Sequence, residues 1–547
     1  MNILAVIPAR GGSKGIPRKN IRLMHKKPLI YYAIRNAQSC AAITDVAVST
    51  DDEEIAAISA RYGAEVLARD AELARDATTL DPVIYDATLQ MEAKRGIAYD
   101  VVITLQPTSP LLSADTLSQA ITSFLASGCD TYISASNQPH LAWSKGEDGT
   151  VYPLYQKRLN RQQLPPNYVE AGAFFITKRQ FVVADSRMGK SISVFEIPEN
   201  EAVDIDTTAD WIVCEQRLGR KKIVFRADGY RQLGMGHIYH CLTLAYNLTG
   251  HEVMFVTSKE HTEGLEKIRQ SHFPYHVIES DAEFFTFLCD YRPDVVVNDC
   301  LDTSARYIQK LKELVPRVVT IEDLGEGSRY ADAVINALYE NLDERKNVYS
   351  GKDYVCLRDE FVAETAHPVR EQVKNILIVF GGADPANLTA KMYRLATRYN
   401  AHYHTDIRFV FMTGSAYDCE ANGVVTREDK NVCVLRDVKR VTTYMHQADL
   451  AVTSQGRTVF ELACMGVPAI VMAQNEREQL HTFAQMSNGF LNLGLGTNVS
   501  EDTLEKTLNW LINTPAIRRE MQQLMLRHDL QAGIERVKKL ILEDTSL

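Results

Sequence analysis

The 547-residue chain lacks most of what would tie a protein to a membrane, a metal cage or a nucleic acid. No apolar run approaches the ~18 residues needed to span a bilayer, and no charged-then-apolar leader opens the sequence. Both point to a cytoplasmic protein. The ten cysteines, from Cys40 to Cys464, stand singly with no C-x-x-C spacing. That excludes a zinc ribbon and a disulfide framework and leaves reduced thiols. A net charge of −10 excludes a general basic surface for nucleic acid or anionic lipid. The glycine clusters match neither the Walker A loop nor the G-x-G-x-x-G dinucleotide fingerprint. There is no low-complexity tract and no short repeat.

What is present is an ordinary globular composition, 45% hydrophobic and 24% charged, long enough for about three folded units. Short β-branched runs ("ILAVIPA", "DVAVST", "DVVITLQP", "TYISAS") alternate with helical patterns. The alternation predicts βαβ units and a mostly parallel sheet. A helix pattern ends in the basic segment "RLGRKK", and the fresh strand "KIVFRADG" restarts the alternation at about residue 221. A third series begins at "KNILIVFGGADPANL". The reading is therefore an α/β protein with a Rossmann-like domain over 1–221, then a two-lobed region with lobes at 222–368 and 369–547.

Ligands of open α/β sheets bind at the carboxyl ends of the strands. Directly after the first strand comes "PARGGSKGIPRKN". Gly11, Gly12 and Gly15 allow a ligand close to the backbone, whose N–H groups can form an anion nest. Arg10, Lys14, Arg18 and Lys19 add positive charge, and Ser13 a hydroxyl; a triphosphate suits that density of donors. Further on, Asp204 and Asp206 in "DID" project to one side of an extended segment. They read either as carboxylates for Mg²⁺ or as the N-terminal cap of the helix that begins at "TTADW".

"IPARGGSKGIPRKN", "VSTDDEEIA", "LQPTSPLL", "RQQLPPNYVEAGAFFI" and "VDIDT" occur in an order and spacing that resemble the CMP-sialic acid synthetases, over residues 1 to about 215. The resemblance implies a Rossmann-like nucleotidyltransferase in which the anomeric hydroxyl of a nonulosonic (nine-carbon 2-keto sugar) acid attacks the α-phosphate of CTP. It implies a CTP loop of Arg10, Gly11, Gly12, Ser13, Lys14, Lys19 and Asn20, with Arg10 and Lys19 offsetting charge in the reaction. It also implies Mg²⁺ on Asp204 and Asp206, Gln106 and Arg161 facing the sugar, and Arg69, Thr78 and Thr79 toward the nucleoside. A homodimer is implied as well. The chain departs from the family at Leu112, where arginine is common, and at Ala171-Gly172-Ala173, where the family has N-G-A. An A-G pair there resembles synthetases for pseudaminic acid, so a pseudaminic or legionaminic type of acid is implied.

In the second region "FRADGYRQLGMGHIYHCLTLA" sets Gly234, Gly236 and His237 at a strand-to-helix turn, where a helix N-terminus favours an anion. A lone histidine there is structural more often than catalytic. The segments "RADG…GMGH", "IEDLGEGSRYADAVINA", "VFGGADPANLT" and "TSQGRTVFELACMGVPAIVMAQNE" resemble the UDP-sugar hydrolase of pseudaminic acid biosynthesis and spore-coat polysaccharide proteins, built like GT-B glycosyltransferases. That likeness implies His237 as general base, with Gly381, Gly382, Ser454, Gly456, Thr458 and Glu461 lining the UDP half and Asn475 near the sugar. The chain departs at His240, where an arginine is usual, and at Asp299-Cys300, where a tyrosine follows the strand. Hydrolysis, glycosyl transfer and non-catalytic nucleotide-sugar binding all stay open for this region. The expected partners are small molecules (CTP, a nonulosonic acid, a UDP-sugar), with no nucleic acid and no membrane.

Overall fold

The strands are runs of Val, Ile, Leu and Ala with few polar interruptions, the pattern of strands covered on both faces of a parallel sheet. The computed structural model describes residues 1–12, 15–229, 235–340, 345–414, 416–425 and 431–543. It divides the chain into two compact units, Met1–Arg220 and Lys221–Leu547.

Seven strands form the sheet of the first unit: β1 (Ile3–Pro8), β2 (Asp45–Thr50), β3 (Glu65–Ala68), β4 (Val101–Leu105), β5 (Thr131–Asn137), β6 (Tyr168–Lys178) and β7 (Ile192–Glu196). Their order is β7-β5-β6-β4-β1-β2-β3. Only β6 runs antiparallel, against β4 and β5, so the mostly parallel expectation holds. Helices Leu29–Ser39 and Ala114–Ser127 cover one face through Ile30, Ile34, Leu117 and Ile121. Helix Leu80–Arg95 covers the other through Ile84, Ala87 and Met91. Residue Leu112, buried in the first of these cores, is structural.

The second unit holds two sheets, both wholly parallel. One contains β8 (Lys222–Ala227), β9 (Glu252–Ser258), β10 (Tyr275–Ile278), β11 (Val295–Asp299), β12 (Arg317–Ile321), β13 (Ala333–Asn336) and β14 (Val348–Ser350). It is ordered β10-β9-β8-β11-β12-β13-β14. The other contains β15 (Asn375–Val379), β16 (Arg408–Thr413), β17 (Val432–Arg436), β18 (Leu450–Thr453), β19 (Ala469–Ala473) and β20 (Phe490–Leu495), ordered β17-β16-β15-β18-β19-β20. Two doubly wound lobes make a GT-B-like architecture. Among the described residues no helix is long and apolar enough to cross a membrane.

The lobes do not divide cleanly along the sequence. The last helix, Gly533–Leu542, belongs to the first lobe's core although the sequence reading assigned 369–547 wholly to the second lobe. Its residues Ile534, Val537, Leu540 and Ile541 pack with Ile223, Phe225 and Val319. The Arg317 side chain donates to the Leu540 carbonyl at 2.7 Å, fastening the helix end. A strongly amphipathic helix has to bury its apolar stripe somewhere, and the first lobe offers the open face. Truncating Ile541, which is 0% exposed, to Ala should lower the stability of the second unit by about 2–5 kcal/mol. Denaturant unfolding followed by circular dichroism measures it.

Candidate functional site

Each of the three large sheets has one place where the chain reverses its direction of winding, and there the loops at the strands' carboxyl ends part to leave a crevice. In the first unit that place lies between β1 and β4. The loop after β1 and the segment after β4 meet there. Asn20, 7% exposed, donates its side-chain amide to the Arg10 carbonyl at 3.0 Å and so folds the loop onto itself. Lys19 donates to the Ile205 carbonyl at 2.5 Å and lies 3.8 Å from Asp206. The Ile205 amide donates to the Thr108 carbonyl at 2.9 Å, and the Gln106 amide to the Ala173 carbonyl at 3.0 Å. Loop, "LQPTSP" and "DID" are thereby one hydrogen-bonded cluster. Ser13 and Lys14 lie outside the described residues, as does Gly234 of the second motif.

The cradle's donors are held by carboxylates. Arg10 pairs with Asp76 at 2.9 Å, and the Gly11 amide donates to Asp51 at 3.1 Å. A Cβ on Gly11 would come within 2.6 Å of an Asp52 oxygen, and one on Gly15 within 2.7 Å of the Asp206 carbonyl. Those two glycines are small because aspartates crowd them. Gly12 faces open space. Asp204 is half-buried, and its buried Oδ1 makes no hydrogen bond. Burial pushes its carboxyl above the usual range, with the Thr108 hydroxyl pulling it down and Asp206 pushing it further up. Neither aspartate caps the following helix; Thr207 does, in a capping box with Asp210. Gly172, at φ +66°, sits where a Cβ would lie 2.3 Å from Asp204 Oδ2, so the A-G-A segment touches the aspartate pair.

Arg69 is buried and turns onto β2, donating to the Ser49 carbonyl at 2.6 Å and the Ser49 hydroxyl at 3.1 Å. Burial lowers its pKa. Thr79 precedes helix Leu80–Arg95 as its N-cap residue, with no side-chain cap bond, and the Thr78 hydroxyl donates to the Glu72 carbonyl at 3.0 Å. Arg161 is exposed on a short 3₁₀ turn, 3.9 Å from Glu199.

In the first lobe of the second unit the reversal lies between β8 and β11. His237 opens helix Gly236–Asn247 after β8, and Asp299 ends β11. The His237 Nδ1 bonds the Asp299 carboxylate, which also accepts from His240 Nδ1 at 3.2 Å and Cys241 Sγ at 3.5 Å. A carboxylate on Nδ1 fixes the tautomer and turns Nε2 toward a reacting proton. Burial pushes the Asp299 carboxyl up, but the two histidines outweigh it and hold the group well below the usual range. Burial and the Arg457 charge hold His240 down at about 4.

Arg457, which belongs to the second lobe, reaches Glu322 at the end of β12, 3.4 Å away. Glu322 is 3% exposed, at φ +52°. Burial pushes its carboxyl up to about 7, against the Arg457 charge. Arg477, also of the second lobe, forks onto Asp302 at 2.9 and 3.0 Å. Sequence reading missed Glu322, Arg457 and the orienting role of Asp299. A carboxylate closing an otherwise apolar strand, as in "DVVVND" and "RVVTIED", is the signal that could have found two of them.

A cleft of about 550 Å³ opens next to this cluster, lined from one lobe by Gly236, Tyr239 and His240 and from the other by Gly381, Gly382, Arg457, Thr458 and Glu461. Gly381, at φ +76°, makes the turn after β15, and a Cβ on Gly414 would press to 2.5 Å of Gly382. Glu461 accepts from Arg358 at 3.0 Å. Ser454 is buried behind the cleft, and Gly456 has only the Ser454 and Glu478 side chains near its Cβ direction. Asn475 is not brought to the cleft: it is exposed and accepts from the Glu478 amide at 2.9 Å, as a turn cap.

The sequence pattern of the Cytidylyltransferase family matches residues 4–147, and that of the glycosyltransferase family 28 C-terminal domain matches residues 376–537. The pseudaminic acid cytidylyltransferase of Campylobacter jejuni is 36% identical over 217 residues, covering 38% of this chain and 93% of that protein. The spore coat polysaccharide biosynthesis protein SpsG of Bacillus subtilis is 26% identical over 307 residues, covering 53% of this chain and 89% of that protein. An uncharacterized protein of Methanocaldococcus jannaschii is 28% identical over 277 residues, 47% of this chain, and the chain spans 57% of its length.

The Glu322 environment has a measurable consequence. Its carboxyl moves from an ordinary 4.5 to about 7 on folding, so the folded state binds the extra proton between those values. Its contribution to stability is present below 4.5 and is lost as pH rises through about 7. Glu322→Gln removes that loss. The melting temperature of the variant, relative to the unaltered chain, should therefore rise from pH 5 to pH 8 in paired thermal melts.

Proposed function

The chain belongs to the cytidylyltransferase family through its first unit, and from that membership we propose that residues 1–220 join a nonulosonic acid to CMP, using CTP and releasing pyrophosphate. The anomeric hydroxyl oxygen attacks the α-phosphorus as its proton passes to solvent, and the bond to the bridging oxygen breaks with its electrons leaving on pyrophosphate. Such transfer rests on positioning and charge. The observation that carries the reading is the single hydrogen-bonded cluster of the β1 loop, Gln106 and the Asp204–Asp206 segment at the switch point. Arg10 and Lys19 bring cations to it, and a phosphate chain takes the place of the carboxylates that now hold them.

Asp204 and Asp206 fit Mg²⁺. One oxygen of Asp204 is buried without a hydrogen bond, Asp206 is exposed two residues on, and magnesium needs only one or two carboxylates beside water and phosphate oxygens. When bound there the ion supplies neutralisation of phosphate charge. The Ala171-Gly172 pair beside Asp204 favours an acid of the pseudaminic or legionaminic type. A homodimer is supported by the short antiparallel hairpin Trp143–Lys145 and Val151–Pro153, where Trp143, Tyr152 and the following Leu154 are 54%, 47% and 64% exposed.

For the second unit the reading is a nucleotide-sugar enzyme. The UDP lies against Gly381, Gly382 and the helix that begins at Thr458, where backbone N–H groups and the helix dipole favour phosphate. His237, oriented by Asp299, takes the proton of an attacking hydroxyl as the anomeric carbon–oxygen bond to UDP breaks. Water in that position gives hydrolysis; a sugar hydroxyl gives transfer.

Asp206→Ala should slow pyrophosphate release from CTP and a nonulosonic acid by ~10²–10³-fold, about 2.7–4 kcal/mol of lost charge stabilisation. An unaltered rate at limiting Mg²⁺ would remove the metal assignment. His237→Ala should lower UDP release from a panel of UDP-sugars by ~10²–10⁴-fold, read by coupled UDP detection. If the loss is absent, His237 is structural.

A further inference from the structure

Beside the nucleotide cleft lies a second pocket of about 400 Å³, which shares Tyr239, Thr243, Lys267, Gln270, Arg358 and Lys439 with it. We propose that this pocket binds a carboxylated sugar as a second substrate, placed against the nucleotide sugar; this rests on reading the second unit as a nucleotide-sugar enzyme.

The walls carry two kinds of cation. Arg358 is neutralised by Glu360 at 2.7 Å and Glu461 at 3.0 Å, and Arg440 by Glu364 at 2.7 Å. Lys267 and Lys439 form no salt bridge among the described residues. The Lys267 ammonium lies 5.0 Å from the centre of the Tyr239 ring, held at the pocket wall by the ring's negative face. Two unpaired ammoniums call for an anion.

The remaining walls say which one. Among the described residues the Asp359 carboxylate accepts only from the Asn247 amide at 3.3 Å, and it shares the pocket with Glu360, whose oxygens are taken by Arg358 and by the Thr442 hydroxyl at 3.1 Å. A phosphate dianion would sit against both. A polyhydroxylated acid uses the whole wall: its carboxylate meets the lysines and a hydroxyl donates to Asp359. Its C–H face meets the rings of Tyr239 and Tyr246, which are 39% and 51% exposed. The volume lies in the ordinary range for a small-molecule site. A hydrolase, whose second substrate is water, has no need of such a chamber opening into its cleft. The class that fits is the acid proposed for the first unit, free or carried on a nucleotide.

Titration calorimetry of the whole chain with N-acetylneuraminic, pseudaminic and legionaminic acids, without CTP, tests this. Lys267→Gln/Lys439→Gln should weaken binding of at least one acid ten-fold or more, and Tyr246→Ala should weaken the same binding. Cytidylyl transfer by both variants, which alter only the second unit, should be unchanged, and whole-chain thermal melts that match the unaltered chain's report that the second unit folds. The lysine-dependent binding should persist in Asp206→Ala, so a failure of the first-unit reading leaves the outcome intact. Superimposable isotherms for the lysine variant and the unaltered chain with all three acids would overturn the proposal.

Discussion

Parallel strands wound outward from a first strand must leave a gap where the second half starts back on the other side, and no connection crosses it. This chain meets that constraint three times: between β1 and β4, between β8 and β11, and between β15 and β18. Backbone donors are left over at each gap, because helices start there and loops run without a ladder partner. Chemistry concentrates there for that reason. Arg10, Lys19 and Gln106 gather at the first gap, His237 and Asp299 at the second, and Gly381 and Thr458 at the third.

Charge is arranged differently at the first two gaps. In the first unit the cations and carboxylates are partly exposed: Arg10 and Asp76 are 35% and 50% open, and Asp206 is 79% open. Such pairs are weak, and a polyphosphate can displace them. At the second gap Asp299 is 0% exposed and carries three donors. Removing one partner of a buried charge leaves it uncompensated, so the His237 ring is held in one orientation. A readily exchanged network suits a large anion that comes and goes. A locked one suits a residue that must present a single nitrogen.

The architecture was legible because both faces of each sheet are covered, which forces continuous apolar runs such as "NILIV" and "VVVND". The β1 loop was legible for the same reason, as glycines and cations interrupting that pattern. The reason for the glycines was only half legible. Gly11 and Gly15 answer to Asp52 and Asp206, contacts made across 41 and 191 positions of chain that no local pattern announces. Arg457 was hidden likewise, since it looks like an ordinary loop residue until the lobes meet, whereas Glu322 closes an apolar strand and only its partner was out of sight. The last helix was misplaced because its stripe says only that it buries a face, not whose.

Inside the second unit, the way the lobes are joined bears on what the cleft can do. Two arginines of the second lobe, Arg457 and Arg477, end on Glu322 and Asp302 of the first, and the chain's last helix returns to the first lobe's core. Opening the cleft would separate Arg457 from a carboxylate that is 3% exposed, and a buried charge without its partner is costly. Arg457 therefore ties the second lobe to the strand end that carries Glu322, beside the His237–Asp299 pair, and the cleft's two walls meet at that contact.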